Sequence, residues 1–246
     1  MTNEGVSVAT WNIEWQPSGS IAAGIIRERL WTGEPEIVCL TEAYADFFGG
    51  EGHVIESGPD YGYPLVAARR KVLLWSREPW EEVDCLGHPD LPPGRYVLGK
   101  TATSVGPMTV IGVCIPWREA HVRTGRRDRQ PWEDHLAYLA GLKEVLRGHK
   151  ERTLVMGDFN QRIPRQLVPV PVYNALLNCF AGGYSVATAG PVAPLGALAI
   201  DHIAHTPDLN TDEVRALSNI GPGGEQLSDH FGVAVTLQRA GGWKRK

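Results

Sequence analysis

Short apolar runs that stop abruptly at a polar cluster recur along this chain. Val6-Ser7-Val8-Ala9 runs into Thr10-Trp11-Asn12-Ile13-Glu14, and Ile37-Val38-Cys39-Leu40 runs into Thr41-Glu42. Thr153-Leu154-Val155-Met156 runs into Gly157-Asp158-Phe159-Asn160, and Leu198-Ala199-Ile200 runs more weakly into Asp201-His202. Ser228-Asp229-His230 reverses the order and leads into Phe231-Gly232-Val233-Ala234-Val235. Apolar stretches of this length between turn formers predict buried strands. The pattern predicts strands over 6–11, 37–41 and 153–156, extended runs at 65–68, 71–75, 95–104 and 108–115, and strands at 200–205, 214–217 and 231–237. Helices are predicted at 20–30, 131–146 and 172–180. The second is the best of them: Pro131 suits a first helical position, and Leu136, Leu139, Ala140, Leu142 and Leu146 form an apolar stripe. Loops rich in Pro and Gly at 49–62, 87–94 and 182–196 read as surface excursions within one domain, residues 1–246 with a core over 6–237. Residues 241–246 read as a short basic tail.

Strand ends are where a rigid sheet can hold acids, amides and imidazoles in fixed mutual geometry. Gly157 permits a tight turn, so Asp158 faces a site, Phe159 anchors the turn and Asn160 offers an amide to a phosphate oxygen. An Asp beside an Asn can take a proton from water while the amide steadies negative charge; an Asx turn that caps local backbone is the other reading. Glu42 ends a buried run, where a carboxylate is costly unless paired or bound to a cation. Mg²⁺, which takes one or two carboxylates plus water and phosphate, would compensate it; the alternative is an acid at a helix N-terminus. Asn12 and Glu14 would share a face of an extended strand, with Asn12 orienting a carboxylate or binding phosphate. Glu14 reads either as a ligand to the metal or its waters, or as a solvated rim residue. His230 as an imidazolium could bind the scissile phosphate or protonate the leaving oxygen, with Asp201 to hold its charge and tautomer.

Composition changes this picture little. Among 246 residues, 24 are basic and 28 acidic, a net charge of −4, so no global basic field marks a nucleic-acid partner. A local patch suffices for phosphates, and residues 118–129 carry Arg118, Arg123, Arg126, Arg127 and Arg129 against Glu119 and Asp128 only. That loop suits a phosphate backbone or a multiply phosphorylated ligand, unless it is simply solvated. Arg69-Arg70-Lys71 is a second basic patch with less positional logic. No stretch approaches the ~18–20 apolar residues of a membrane span. The start lacks a signal-peptide core. Cys39, Cys85, Cys114 and Cys179 lack metal-ligand spacing, so reduced thiols in a cytoplasmic protein are expected. No obligate protein partner is evident.

Asn12, Glu42, the Asp158 and Asn160 pair, Asp201 and Asp229-His230, in this order, give the chain a resemblance to the endonuclease/exonuclease/phosphatase superfamily, with its DNase I-like and exonuclease III-like members. The resemblance implies a four-layer α/β/β/α sandwich of two mixed β-sheets packed face to face, with helices outside. It implies Mg²⁺, or Mn²⁺ as a substitute, on Glu42 with Glu14, Asn12 and Asp229 nearby. By the same resemblance Asp158 positions or activates water, Asn160 holds phosphate, and the Asp201–His230 pair stabilises the transition state. Such proteins commonly place a His or Tyr where Cys114 falls here, a poor donor to phosphate; either Arg118 or His121 supplies the contact instead, or transition-state stabilisation is weaker. The expected function is Mg²⁺-dependent hydrolysis of phosphoesters by in-line attack of water, with nucleic acid as substrate. A small or lipid phosphate ester is the alternative, and an inactive binding module of the same fold is a third reading.

Overall fold

The computed structural model describes residues 5–241, so apart from Gly241 the expected basic tail lies outside the described residues. One six-stranded sheet comprises β1 (Gly5–Asn12), β2 (Ile37–Tyr44), β3 (His53–Glu56), β4 (Arg69–Ser76), β13 (Leu209–Leu217) and β14 (Gly232–Arg239), in the order β13-β14-β1-β2-β4-β3. The second holds β5 (Trp80–Asp84), β6 (Tyr96–Thr101), β7 (Met108–Cys114), β8 (Thr153–Asp158), β9 (Ser185–Val186) and β12 (Asp201–His205), in the order β5-β6-β7-β8-β12-β9. Both sheets are mixed: β1 runs parallel to β2 and β7 to β8, while the other pairs are antiparallel. A small ribbon pairs β10 (Pro191–Val192) with β11 (Ala197–Leu198).

The layering follows from which strands are apolar on both faces. Val6, Val8, Cys39, Val72 and Leu74 of the first sheet meet Val97, Val110, Met156 and Ile203 of the second in a central core. The alternate residues Trp11, Val38, Leu40 and Leu73 face outward, where α1 (Ile21–Trp31) covers them with Ala23, Ile26 and Leu30. On the far side Ile111, Val113 and Val155 are covered by α2 (Glu133–Arg147) and α3 (Val170–Phe180). Strands covered on both faces read as continuous apolar runs rather than alternating ones, which is why they are visible in the sequence. The result is the expected four-layer α/β sandwich.

The differences fall at the periphery. β3 and β5 are absent from the sequence expectation: they are short and largely exposed, so tertiary pairing rather than local pattern makes them strands. Residues 65–68 do not form a strand; Leu65 and Val66 are exposed in the turn that delivers β4. The 95–104 run shortens to β6. In α2 the buried stripe is Tyr138, Leu139, Leu142 and Leu146, whereas Leu136 faces solvent. Among the described residues no helix is long and apolar enough to cross a membrane.

Candidate active site

Six chain segments meet at one edge of the sandwich, most of them brought there by the strand registers. Asp158 ends β8, and in the antiparallel pairing Asp201, the first residue of β12, stands opposite it. Cys114, the last residue of β7, stands beside Asp158 on the other side. Gly157 lies inside β8 rather than in the expected turn; it has φ 135°, and a Cβ there would lie 2.0 Å from the Val113 carbonyl oxygen, so this strand position admits only glycine. In the other sheet Asn12 ends β1 beside Thr41, one residue before Glu42. The His230 segment is fastened to β1: the buried Trp11 donates from Nε1 to the His230 carbonyl at 2.8 Å, and Ser228 Oγ donates to the Asn12 carbonyl at 2.7 Å. Gly232 makes room for the Trp11 ring, since a Cβ there would come within 2.7 Å of it.

The side chains form one network around Asp158. Its Oδ1 accepts from the Asn160 backbone N–H at 2.8 Å, and its Oδ2 accepts from Asn12 Nδ2 at 3.0 Å and Asn160 Nδ2 at 2.8 Å. Asn160, with φ 52°, also donates from Nδ2 to the Ile115 carbonyl at 2.8 Å. Both of its side-chain N–H groups are therefore engaged within the protein, by Asp158 and the Ile115 carbonyl. Asn12 Oδ1 accepts from the Glu14 N–H, and Asp158 takes one of the two Asn12 side-chain N–H groups, leaving the other for a ligand. The fully buried Asp201 joins the two halves: Oδ2 accepts from the Asn12 backbone N–H at 2.6 Å and Oδ1 lies 3.0 Å from His230 Nδ1. His202, the other half of that Asp-His pair, points the opposite way, bonding Thr188 and the Gln161 carbonyl; burial pushes its pKa down to about 4, and it is a neutral structural residue.

Electrostatics assign opposite roles to the two ends of the network. Burial pushes the Asp158 carboxyl well above the usual carboxylate range, with the charges of Asp201 and Glu42 adding to it against the pull of His230. Burial alone would lower His230, but the charge and hydrogen bond of Asp201, aided by Asp158 and Asp229, outweigh it and raise the imidazole to about 10. His230 is thus held toward its imidazolium form, with Nε2 3.9 Å from Asp229 Oδ1, and Asp158 is held toward its protonated form. Asp158, Asp201 and His230 bring their ligand atoms within 4.8 Å of one another, a group that could hold a metal ion.

Glu42 sits inside β2 with φ 52°, and no helix follows, which removes the helix N-terminus reading. Glu14 does not extend β1; with φ 49° it lies in the turn after it, exposed, its Oε2 accepting from the Asp229 N–H at 3.0 Å. Opposite Glu42 stands Lys71 of β4, whose Nζ is 2.5 Å from Glu42 Oε1. In the sequence Lys71 is only part of a basic patch. Arg95 carries no signal there at all: it is 2% exposed, touches Cys114 Sγ at 3.8 Å and makes no ion pair among the described residues. Burial pushes the Cys114 thiol up to about 12, so it is neutral. Neither alternative for the Cys114 contact points at this network. Arg118 is exposed and pairs with Glu119 at 3.0 Å, and His121 is buried against Tyr63 and 3.8 Å from Asp134. Arg126 and Arg129 also converge on Asp134, so they brace the loop, while Arg123 and Arg127 are exposed without an ion pair among the described residues.

The sequence profile of the Endonuclease/Exonuclease/phosphatase family matches residues 9–230, a span that takes in every member of this network. The chain belongs to that family. Membership makes it an enzyme of the phosphoesterase class. Similar solved folds include a 3′-5′ exonuclease (NExo) from Neisseria meningitidis, 20% identical, covering 94% of this chain and 98% of that one at TM-score 0.70. A 3′ phosphatase NExo from Neisseria, bound to product DNA hairpin, is 17% identical, with coverages of 96% and 99% and TM-score 0.70. D. rerio TDP2 complexed with single-strand DNA product is 13% identical, with coverages of 95% and 99% and TM-score 0.64. No curated protein sequence matches the chain. At these identities the similarity speaks for the DNase I-like sandwich.

Proposed function

We propose that this chain is a Mg²⁺-dependent phosphodiesterase that hydrolyses nucleic acid within a single catalytic domain. The observation that carries the reading is the buried Asp158 carboxyl, held by the Asn12 and Asn160 amides against the Asp201–His230 pair. In this reading Asp158 orients a water and accepts its proton, which its raised pKa favours near neutral pH. Asn12 Nδ2–H and His230 Nε2–H are the donors to the phosphoryl charge that grows beside Asp158 in this reading. His230 gives its Nε2 proton to the leaving oxygen, while Asp201 keeps the ring charged and aimed. The carboxylate oxygens of Glu42 and Glu14, with Asp229 beside them, are hard donors that fit Mg²⁺ or Mn²⁺. An ion bound there would supply Lewis-acid stabilisation of phosphoryl oxygens, a contribution of several kcal/mol in such sites.

Nucleic acid is favoured over a small ester by what lies beside the acids. Trp15, Tyr61, Tyr63 and His121 follow one another with ring centroids 6.0, 5.8 and 4.5 Å apart, leading from the Glu42 corner to the loop of Arg123 and Arg127. Tyr61 and His121 are buried, so of these rings the half-buried Trp15 and Tyr63 are left, with the exposed arginines, to meet bases and backbone of an unpaired strand. Two of the structurally similar proteins are described with DNA products, which accords with this substrate. The net charge of −4 favours a second reading, a small phosphate ester. The unpaired cysteines accord with a reducing, cytoplasmic setting. The test is turnover of single-stranded DNA, RNA, supercoiled plasmid and small phosphate esters with Mg²⁺ or Mn²⁺, with Glu42→Gln as control. Metal-dependent cleavage of polymer, lost in the variant, is expected. Turnover of small esters alone transfers the function to the second reading, and no turnover of any ester refutes both.

A further inference from the structure

Lys71 is the most unusual group near the site. Its side chain is 10% exposed, yet it carries an ammonium, and among the described residues its one anionic partner is Glu42 Oε1 at 2.5 Å. Two aromatic rings also flank Nζ: the Trp15 ring centroid lies at 5.1 Å and that of Tyr61 at 5.3 Å. Those rings attract the cation but accept no strong hydrogen bond. Of the three N–H donors of an ammonium, Glu42 takes one and two have no acceptor among the described residues. A desolvated cation in that condition calls for a further anion.

The surroundings say where such an anion would sit. Lys71 falls between Arg70 and Val72, which pair with Ala43 and Thr41, so it stands across from Glu42, whose φ is 52°. Among charged groups, Lys71 acts most strongly on the Cys114 thiol, followed by Asp158 and then Arg95, so its charge reaches the floor beside Asp158. The same corner collects Glu14, Glu42, Asp158, Asp201 and Asp229, against only Lys71 and His230 as cations hydrogen-bonded within the network. A fixed ammonium there keeps the acids together before any ligand arrives and supplies positive charge where phosphate must approach them.

We propose that Lys71 is a further catalytic residue, which donates its free N–H groups to a non-bridging oxygen of the substrate phosphate. While it holds Glu42 it also competes with a divalent ion for that carboxylate. The proposal rests on the phosphoester reading of the site. It specifies the ligand of this corner as a tetrahedral oxyanion, and it predicts two changes of opposite sign when the charge is removed. Loss of the ammonium frees Glu42, so metal binds more tightly; loss of the donors weakens phosphate.

The experiment uses full-length wild type, Lys71→Met and Lys71→Arg, each shown folded by circular dichroism. Mn²⁺ affinity is read by electron paramagnetic resonance, inorganic phosphate affinity on the Mn²⁺-loaded proteins by calorimetry, and turnover in parallel. Expected for Lys71→Met is Mn²⁺ binding at least about 5-fold tighter and phosphate binding at least about 10-fold weaker, consistent with losing one charge-assisted contact. Lys71→Arg, which keeps charge and donors, is expected to recover most of the phosphate affinity. Unchanged phosphate affinity in Lys71→Met overturns the proposal whatever the metal does, and so does unchanged or weaker Mn²⁺ binding. The binding shifts without any wild-type turnover would refute the phosphoesterase reading alone; wild-type turnover without the shifts would refute only the role of Lys71.

Discussion

Replacing Asp201 by Asn tests the charge logic of the site with almost no change of shape. Asp201 is fully buried, with one oxygen 2.6 Å from the Asn12 N–H and the other 3.0 Å from His230 Nδ1. An Asn side chain keeps its oxygen for Asn12, so its amide N–H₂ must then face Nδ1. The ring can meet that donor only by giving up its Nδ1 proton, which leaves a neutral imidazole still carrying Nε2–H. Hence the variant removes the charge and retains the donor. Holding His230 near 10 rather than 6.5 corresponds to roughly 5 kcal/mol, and burial works against it, so its carboxylate neighbours supply at least that much. Loss of the ionic hydrogen bond accounts for about 1.5–3 kcal/mol of this. Nuclear magnetic resonance titration of labelled histidine is expected to place the His230 pKa above about 9 in the wild type and below about 7 in the variant, nearer the ordinary imidazole value. Turnover is expected to fall roughly 10²–10³-fold, as for other oriented acid–base pairs. A variant within about tenfold of wild type, or a His230 titration that does not move, refutes the argument.

Three further outcomes follow from other parts of the structure. Arg123→Ala with Arg127→Ala should weaken binding of single-stranded oligonucleotide and flatten its salt dependence by roughly two phosphate contacts, with little effect on a small ester; an unchanged salt slope in a filter-binding assay rejects the loop as a strand contact. Gly157→Ala has no room for its Cβ and needs a strained φ, so the purified variant should be destabilised by about 3 kcal/mol or more in urea, or fail to accumulate folded. His230 titrates higher folded than its unfolded value of 6.5, so its stabilising contribution is complete below about pH 6.5 and disappears as pH rises to about 10. Urea unfolding of metal-free protein should show stability declining across that window, with a shallower decline in His230→Gln; parallel slopes would contradict it.

Strand ends are readable from the chain because burial on both faces makes central strands continuously apolar, and the change to polar residues then marks the edge where a site can form. Asn12, Glu42, Asp158, Asp201 and His230 are found this way, and all of them stand at one edge of the sandwich. Peripheral β3 and β5 are not, since an exposed edge strand leaves no apolar run. Direction of side chains is not readable either. Adjacent residues of a strand face opposite ways, so His202 turns into the second sheet while Asp201 enters the site. Asn160 has the sequence context of a phosphate donor, but the Ile115 carbonyl and Asp158 occupy both of its N–H groups. Arg126 and His121 have the character of ligands, but Asp134, distant from the acids in sequence, draws them into the loop's own support. Lys71 and Arg95 carry the same lesson in reverse. Each is one cation among many in the sequence, and only the pairing of β4 with β2, and of β6 with β7, buries them beside acids and thiol where a charge acquires chemical consequence. Periodicity reports what is buried; partnership between distant side chains is decided by register and desolvation, which exist only once the sheets have formed.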